Sequence, residues 1–415
     1  MIKLRRRVLL ACFACSPQWG SEPGVGWRWL IELTKRHDVV LVTHAYYREH
    51  LEPVLAENPI GGLEIHYCAA PAFGLHPHKQ LGSRLFYIWW QWNLKSVVKQ
   101  LLKSQSFDLI HHLTWGTFRF PTFLGRMGVP LVMGPVGGGE AAPMQLYDGL
   151  PFRVRAFEWV RCMSLRFVKF DPLAIWGPKA SALILCKTED TVRALPASLR
   201  ENAVIALEIG SPIVDLTSRK NRPVELSPFR LLFAGRLLGW KGIVLALGSM
   251  RVLLDRKYDV TLDIAGEGPL CAHIHDEIQR LGLKERVRVL GKIPRPDLME
   301  LYGQADLFIF PSLHDSSGNV VLESLSRGLP VICLDLGGPK YYVTTECGVI
   351  VSTHKQLRFQ VELGLANAIS GLIDDPDKLR SMSAEAVRQA TVQTWEARVT
   401  KAYELIEQKL NWVIA

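Results

Sequence analysis

Short apolar runs alternate with amphipathic helical patterns along most of this 415-residue chain. Each run is short enough for one buried strand, and the segments between the runs are long enough for a helix. In the first half, strands are predicted at Val8–Cys15, Val39–Val42, Leu63–Cys68, Leu109–His111, Leu131–Met133 and Ala182–Cys186. In the second half, strands are predicted at Arg230–Ala234, Thr261–Ala265, Val287–Leu290, Leu307–Phe310 and Val331–Leu334. Strands that alternate with helices predict parallel sheets, so the expected fold class is α/β with two Rossmann-like domains.

A polar segment with several prolines separates the two sets of strands, as is typical of an interdomain linker. We therefore predict an N-terminal domain over residues 1–212, a linker over 213–228 and a C-terminal domain over 229–390. The remaining segment, 391–415, is predicted to contain a helix that can cross back to the N-terminal domain.

The first fifteen residues combine basic and apolar positions in a way that imitates a short signal peptide. Their apolar run leads directly into a glycine-rich turn and an amphipathic pattern, which favours a β-strand over a cleaved leader. The eight cysteines are scattered, mostly in apolar runs, which is typical of buried thiols in a reducing compartment. Cys12 and Cys15 form a C-x-x-C within a strand pattern, so metal or redox chemistry there is the weaker interpretation. We expect a cytoplasmic protein without a metal site.

Two pairs of charged residues are the strongest chemical signal. Arg236 and Lys241 follow the strand that ends at Ala234, and Asp315 and Glu323 follow the strand that ends at Phe310. Cationic side chains neutralise phosphate oxygens, and carboxylates accept hydrogen bonds from sugar hydroxyls. The pattern predicts a site for a nucleoside diphosphate joined to a sugar. The alternatives are solvated surface charges and simple capping of a helix by the acidic loop.

Other distinctive residues also follow predicted strands of the second half. Gly266 follows one strand and Gly337 another, so residues from four strand ends are expected at one edge of the sheet. The carboxyl ends of parallel strands are where ligands bind in such folds. Their common position strengthens the prediction of a single ligand site.

Taken together, these segments resemble retaining glycosyltransferases of family 4, which have the GT-B fold of two Rossmann-like parallel-sheet domains facing across a cleft. The resemblance covers most of the chain and is carried by matches in the expected order. The matched segments are Ala234–Gly242, Ala265–Leu270, Leu290–Pro294, Phe310–Ser312, Asp315–Glu323 and Gly328–Ile332. In the first half, a subgroup-like signature covers Gly20-Ser-Glu-Pro-Gly-Val-Gly-Trp27, followed by similar segments at 111–119 and 134–140.

The resemblance implies a role for each matched position. Arg236 and Lys241 would bind the donor diphosphate, Glu323 the ribose hydroxyls, and Asp315 the transferred sugar. The other donor-binding positions implied are Gly20, Gly235, Gly266, Lys292, Ile293, Ser316, Ser317, Gly318 and Asn319. No cofactor or metal is implied, because the nucleotide sugar is a co-substrate.

His111 or His112 would lie near the reacting face of the sugar. Alternating side chains of a strand place the two rings on opposite faces, so only one is expected to reach the site. The sequence leaves the choice open, and a buried core histidine is the alternative for the other.

One departure from the family concerns the sugar end. The family usually has glutamate where this chain has Asp315, and an aromatic residue in the loop that follows it, which here is Ser-Ser-Gly-Asn. Aspartate is one methylene shorter, which changes its reach by roughly 1.5 Å, about one C–C bond. We expect a change in donor-sugar preference.

Charge and aromatic residues are concentrated in the first half. Residues 1–215 hold 24 Lys and Arg against 17 Asp and Glu, and nine of the twelve tryptophans. Segments 84–103 and 152–170 combine basic residues with Trp, Phe and Leu, a composition typical of helices in a membrane interface. They predict contact with an anionic membrane surface, with core-packing helices as the alternative. No nucleic-acid partner is expected.

The predicted function is transfer of a hexose from a UDP- or GDP-sugar to a saccharide or lipid-linked saccharide acceptor, in polysaccharide or glycolipid assembly. With membrane contact, the enzyme would be peripheral at the inner face of the cell membrane. Two alternatives remain open. One is another GT-B enzyme, such as a nucleotide-sugar epimerase or a phosphorylase. The other is a catalytically silent, membrane-associated scaffold that binds nucleotide.

Overall fold

The computed structural model describes residues 5–69, 83–214 and 228–412. Contacts between Cα atoms divide the chain into two compact units. Unit 1 comprises Met1–Gly139, Ser164–Ile209 and Trp395–Ala415, and unit 2 comprises Glu140–Met163 and Gly210–Thr394. This grouping differs from the predicted boundaries at residues 140–163, which belong to unit 2 by their contacts. Most of the predicted linker, 215–227, lies outside the described residues.

Unit 1 contains a seven-stranded sheet with all strands parallel, in the order β3-β2-β1-β4-β5-β6-β7. The strands are β1 Arg7–Cys12, β2 Asp38–His44, β3 Leu63–Cys68, β4 Leu109–Thr114, β5 Leu131–Val136, β6 Leu183–Cys186 and β7 Ala203–Ile205. The helices from α1 to α6 are α1 Ser21–Thr34, α2 Arg48–Glu57, α3 Ser83–Ser104, α4 Phe152–Arg166, α5 Pro172–Ala180 and α6 Glu189–Ala194. Most of α4 groups with unit 2.

Unit 2 contains a six-stranded parallel sheet in the order β10-β9-β8-β11-β12-β13. Its strands are β8 Phe229–Ala234, β9 Val260–Ala265, β10 Val287–Gly291, β11 Leu307–Phe310, β12 Val331–Leu334 and β13 Gly348–Val351. Its other helices are α7 Ile243–Asp255, α8 Cys271–Arg280, α9 Arg295–Gln304, α10 Asn319–Ser326, α11 Arg358–Ile373 and α12 Pro376–Val392. The last helix, α13 Trp395–Lys409, groups with unit 1.

The predicted fold class, α/β with two Rossmann-like parallel-sheet domains, is confirmed. Each predicted strand has a counterpart, and sequence analysis missed two short strands, β7 and β13. The first strand ends at Cys12 rather than Cys15, because the pairing of β1 with β4 shifts register after Ala11. Beyond that point the Ala14 amide donates to the Thr114 hydroxyl at 3.0 Å instead of continuing the ladder.

Candidate functional site

The loops after β8 and β9 are held together by their backbones. The Gly235 amide donates to the Ala265 carbonyl at 3.0 Å, and the Gly266 amide donates to the Gly291 carbonyl at 2.8 Å. Gly266 has φ +152°, and a Cβ there would overlap the Gly235 carbonyl. Only glycine fits such a close approach. The structure thus brings Gly235 and Gly266 together, as predicted from their places after neighbouring strands.

The loop after β11 is fastened to the loop after β8 in the same way. The Leu313 amide and the Ser312 hydroxyl donate to the Trp240 carbonyl at 2.8 and 3.2 Å. Gly242 has φ +71°, and a Cβ there would overlap the Pro311 carbonyl. The predicted basic and acidic segments are therefore adjacent at the carboxyl ends of neighbouring strands.

Lys241 and Asp315 form a direct ion pair between these two loops. Their side chains are only 14% and 13% exposed. Burial raises the pKa of the Asp315 carboxyl, but the Lys241 ammonium and the Ser317 amide outweigh it, so the pKa lies below its ordinary value. The Lys241 Nζ also lies 4.3 Å from the centre of the Trp240 ring, a cation–π arrangement. Sequence analysis gave these two residues separate ligand roles and did not foresee their contact.

Arg236 differs from Lys241 in being exposed. Within the described part of the chain, its guanidinium makes no ion pair or hydrogen bond. It extends from the same loop as Lys241, so two cationic side chains share the end of β8. One is held by a carboxylate, and the other is available to an anion.

Helix α10 begins directly after the acidic loop, so its N-terminal amides lie beside Asp315. Ser316 and Ser317 form the approach, and Gly318 is the N-cap with φ +86°. The Asn319 Oδ1 is buried and has no hydrogen-bond partner among the described residues. Amides at a helix N-terminus favour anionic oxygens. The loop therefore offers amide donors to a phosphate or sugar oxygen, and the Asn319 Oδ1 offers an acceptor to a hydroxyl.

Glu323 lies one turn further along α10 and forms an ion pair with Arg295 at 3.1 Å. The Glu323 side chain is 15% exposed, whereas Arg295 is 63% exposed. Burial raises the pKa of the Glu323 carboxyl, against the opposing effect of Arg295. Arg295, at the start of α9, was not identified from the sequence. It directly follows the matched segment Leu290–Pro294, and that position was the available signal.

The remaining predicted donor positions lie in both units. Lys292 is exposed and Ile293 half-buried, immediately after β10. Gly20 lies in unit 1 as the exposed N-cap of α1, and a Cβ there would meet no atom within 4 Å. None of these three positions has a geometry that assigns it a ligand, so their roles remain predictions.

His111 and His112 are both fully buried on β4. His111 lies 2.7 Å from the Gly134 carbonyl and 3.0 Å from the Tyr403 hydroxyl. His112 lies 2.8 Å from the Tyr87 hydroxyl. Burial lowers the pKa of His111 to about 4 and that of His112 to about 3. Neither ring reaches the surface, so the structure brings neither to an open site, and a catalytic role for either remains only a prediction.

A buried ion cluster on helix α4 was also missed. Glu158 is 1% exposed, and its carboxylate binds the Arg161 Nε at 2.8 Å and the His314 Nε2 at 3.2 Å. Glu158 is the one acidic residue among five basic residues in 152–170. That isolation was the available signal, because a single carboxylate in a basic amphipathic segment indicates a specific ion-pair partner.

Unit 1 has a second buried ion pair. The Lys187 Nζ lies 2.8 Å from Glu208, and both side chains are about 5% exposed or less. A Cβ on Gly116 would approach both of them, and the Gly116 amide donates to Glu22. Gly116, Lys187 and Glu208 follow β4, β6 and β7. Glu22, in α1, is the glutamate of the Gly-Ser-Glu-Pro-Gly signature. The signature therefore contacts Gly116 of the same unit, next to the Lys187–Glu208 ion pair.

The described residues, 5–69, 83–214 and 228–412, bear on cofactor and membrane in two respects. No three His, Cys, Asp or Glu side chains there are grouped to hold a metal ion. Among the same residues, none of the helices is both long and apolar enough to cross a membrane. The expectation of metal-independent chemistry remains a prediction.

Comparison with known proteins finds a matching family model in the second half of the chain. Residues 215–389 match the family model of glycosyl transferases group 1. A D-inositol 3-phosphate glycosyltransferase of Corynebacterium diphtheriae is 29% identical over 229 residues, which are 52% of this chain and 52% of that protein. The chain thus spans about half the length of the curated relatives it matches.

Solved structures are similar over nearly the whole chain. Anabaena HepE in complex with UDP and glucose is 18% identical, with a TM-score of 0.59 over 99% of this chain and 100% of that one. WaaG, a glycosyltransferase involved in lipopolysaccharide biosynthesis, is 16% identical, with a TM-score of 0.57 over 96% and 99%. At such identities the likeness establishes the fold. The chain therefore has the GT-B fold of two Rossmann-like domains, and its residues 215–389 match the glycosyl transferases group 1.

Proposed function

We propose that this protein is a retaining glycosyltransferase that moves a hexose from a UDP- or GDP-sugar to a saccharide or lipid-linked saccharide. The observation that carries the proposal is the Lys241–Asp315 contact at adjacent strand ends, beside Arg236 and the N-terminus of α10. Cations for a diphosphate and carboxylates for a sugar thus lie together in unit 2.

The donor would lie along the carboxyl ends of β8 to β12. Arg236 and Lys241 would bind the diphosphate, and the amides before α10 would bind remaining phosphate or sugar oxygens. Glu323 would accept hydrogen bonds from the ribose hydroxyls, exchanging its contact with Arg295. The UDP and glucose bound to the solved relative support a nucleotide-sugar donor of this kind.

The proposed chemistry is front-face substitution at the anomeric carbon. The bond from this carbon to the diphosphate oxygen breaks, and a bond to the acceptor oxygen forms on the same face. The acceptor proton passes to the departing phosphate oxygen. Asp315 is engaged by Lys241, so its carboxylate is better suited to orient the sugar than to form a covalent intermediate. Lys241 and Arg236 would stabilise the charge that develops on the diphosphate.

The acceptor is proposed to be a saccharide or lipid-linked saccharide bound mainly by unit 1. One solved relative, WaaG, is a glycosyltransferase involved in lipopolysaccharide biosynthesis, which supports an acceptor of this type. Polysaccharide or glycolipid assembly at the inner face of the cell membrane would be consistent with the two basic aromatic helices.

Those helices expose apolar side chains that a water-facing surface would normally hide. In α3, Leu85, Trp89 and Trp92 are 67%, 43% and 59% exposed. In α4, Phe157 and Trp159 are 66% and 55% exposed. Exposed basic residues accompany both sets, including Lys99 and Lys103 of α3. Peripheral attachment to an anionic membrane surface is part of the proposal.

Thermal-shift measurements with UDP, GDP and their sugars would test the donor, because a ligand that binds only the folded state raises its stability. Turnover is then measured across saccharide and lipid-linked acceptors, with product anomeric configuration determined by NMR. Retention supports the proposal, and inversion contradicts the mechanism. Isomerisation of the donor without acceptor would indicate an epimerase, and donor binding without any turnover would indicate a silent scaffold.

A further inference from the structure

The buried carboxylate of Glu158 connects helix α4 to the loops that carry Lys241 and Asp315. Its Oε2 accepts from the Arg161 Nε at 2.8 Å, and its two oxygens lie 3.3 and 3.2 Å from the His314 Nε2. Arg161 also donates to the Glu140 carbonyl at 2.7 Å, which fixes the guanidinium. All four residues belong to unit 2.

Stability alone does not explain this cluster. Removing charges from water is costly, and a buried ion pair is often no more stabilising than apolar residues of similar volume. Burial raises the pKa of the Glu158 carboxyl, yet His314 and Arg161 outweigh it and hold the pKa below its ordinary value. The carboxylate is therefore kept charged at neutral pH, and it faces a histidine next to Asp315.

His314 transmits this contact to the donor loops. Its ring stacks on Trp240, with centroids 4.7 Å apart and planes 26° from parallel. The Trp240 ring also contacts the Lys241 ammonium, whose Nζ lies 4.3 Å from the ring centre. Lys241 in turn contacts Asp315, the residue that follows His314. His314, Trp240, Lys241 and Asp315 therefore form a continuous series of contacts, which the peptide bond between His314 and Asp315 closes.

Helix α4 also touches the first of these loops directly. A Cβ on Gly239 would overlap Val154, one turn before Glu158, so the helix packs onto the backbone that precedes Lys241. The helix therefore forms one wall of the loop, and Glu158 adds a charged contact with His314. Displacing the Glu158 carboxylate would move His314 and, with it, the Trp240 ring that contacts Lys241.

We propose that Glu158 is a positioning residue of the donor site, acting through the imidazole of His314 to hold Trp240 and Lys241 in place for the donor diphosphate. This inference rests on the proposed function. It assigns a role in the donor site to a helix for which the sequence predicted membrane contact or core packing. Arg161 serves by orienting the Glu158 carboxylate.

The test compares E158Q with a matched control. Glu277 of α8 forms the same i,i+3 contact with Arg280, at 2.9 and 2.6 Å, away from His314, so E277Q removes an equivalent charge elsewhere in unit 2. E158Q is expected to lower kcat by about 10- to 100-fold while the KM for the donor changes little, because a misplaced catalytic group loses more in the transition state than in binding. E277Q should leave kcat and KM unchanged.

Two further readouts separate positioning from a merely structural role. E158D should restore part of kcat. In a double-mutant cycle with H314Q, the double variant should be no worse than the poorer single variant, since both changes remove the same contact.

The possible outcomes distinguish the two proposals. If wild-type protein transfers sugar while E158Q keeps its kcat, the positioning role is wrong and the proposed function stands. If E158Q unfolds, H314Q carries the test, because the His314 side chain is 13% exposed whereas that of Glu158 is 2% exposed. A wild-type kcat in H314Q would then overturn the positioning role. If wild-type protein transfers no sugar from any UDP- or GDP-donor, the proposed function is wrong and the positioning role is rejected with it.

Discussion

The ammonium of Lys241 contacts the carboxylate of Asp315, although 74 positions separate the two residues in the sequence. The contact joins a side chain proposed to bind phosphate to one proposed to bind sugar. It also holds both of them in a defined position before the donor arrives. A preorganised cation is worth more to a developing charge than a mobile one.

Lys241→Ala should therefore lose turnover by at least about 100-fold, the scale expected for removal of one preorganised electrostatic group. Folding should survive with a loss of about 1–3 kcal/mol, because Asp315 is left mostly buried without its cation. Steady-state kinetics and chemical denaturation measure the two effects. Lys284→Ala, which removes an exposed lysine of the same unit, serves as the control. Turnover equal to that of the control would show that Lys241 has no role in the proposed donor site.

Asp315→Glu should alter the choice of sugar more than the affinity for nucleotide. The added methylene moves the carboxylate by roughly 1.5 Å, while Arg236 and the helix amides stay in place. We expect kcat/KM ratios among UDP-glucose, UDP-galactose and UDP-N-acetylglucosamine to change by about 10-fold or more, the scale of one altered polar contact. The Kd for UDP, measured by calorimetry, should stay within a factor of about three, because the variant leaves the phosphate contacts unchanged. Parallel losses for all three sugars would contradict a role in sugar choice.

The sequence predicted that the loops after β8 and β11 are adjacent, because parallel topology dictates their position. Strands that alternate with helices bring their carboxyl ends to one edge, so Arg236, Lys241, Asp315 and Asn319 had to be neighbours once the strands were assigned. The Glu158–His314 contact was beyond prediction, since it joins residues 156 positions apart from segments without a shared pattern. Helix α4 also carried the composition of a surface helix, which hid its packing with unit 2.

The histidines illustrate another limit. The His111-His112 dipeptide resembles a family motif at a strand end, yet the alternation rule could predict only that the rings lie on opposite faces. Both faces of β4 are covered, so both rings are buried. Tyr403 of α13 is one of the residues that bury His111. The two residues are 292 positions apart, so local sequence cannot predict their contact.

Glu323→Gln should separate stability from donor binding. Burial raises the pKa of the Glu323 carboxyl, so the folded state favours its protonated form. Its contribution to stability is therefore greatest at low pH and is lost as the pH rises through the folded-state pKa. The uncharged glutamine should leave the free energy of unfolding at pH 7 unchanged or raised. UDP affinity should fall by about 10- to 100-fold, since hydrogen bonds to a charged acceptor are stronger than those to a neutral one.

Calorimetric titration with UDP and urea denaturation of Glu323→Gln give these two quantities. Glu300→Gln, a nearby change on α9 whose carboxylate contacts only Gln304 among the described residues, is the control. If Glu323→Gln binds UDP as wild type does, then Glu323 is not the ribose acceptor.

Tyr403→Phe tests whether His111 serves the core of unit 1. The change removes the hydroxyl 3.0 Å from the His111 Nδ1 and should cost about 1 kcal/mol of unfolding free energy, as for one buried hydrogen bond. Turnover at 25 °C should remain within about twofold of wild type, because a core contact acts on stability rather than on the transition state. A large loss of kcat with unchanged stability would instead favour the catalytic role predicted from the sequence.

The pH dependence of the unfolding free energy provides an independent test of the burial of His111. The pKa of His111 falls from 6.5 to about 4, so between these values the unfolded chain binds a proton that the folded chain does not. Stability should thus decrease as the pH falls through this window, by up to roughly 3 kcal/mol for a shift of this size. Urea denaturation at a series of pH values measures the slope. Stability that stays constant between pH 6.5 and 4 would contradict neutral burial of the ring.

Phe157→Ser/Trp159→Ser tests the proposed membrane contact of α4. Both side chains are more than half exposed, and each should lose apolar burial in the lipid interface when shortened. Binding to vesicles with anionic phosphatidylglycerol, measured by sedimentation, should fall by about 10-fold or more, given the usual free energy of burying an aromatic side chain. Phe359→Ser of α11 is the control, because Phe359 is 60% exposed on a different helix of unit 2.

Salt and lipid charge separate the two contributions to that binding. Each basic residue near an anionic surface adds about 1 kcal/mol, an attraction that ions screen. Wild-type protein should therefore bind anionic vesicles more weakly as salt rises and should bind neutral phosphatidylcholine vesicles poorly. If the double variant binds anionic vesicles as well as Phe359→Ser does, then α4 does not contact the membrane. Its exposed aromatic residues would then have to serve acceptor binding or another surface.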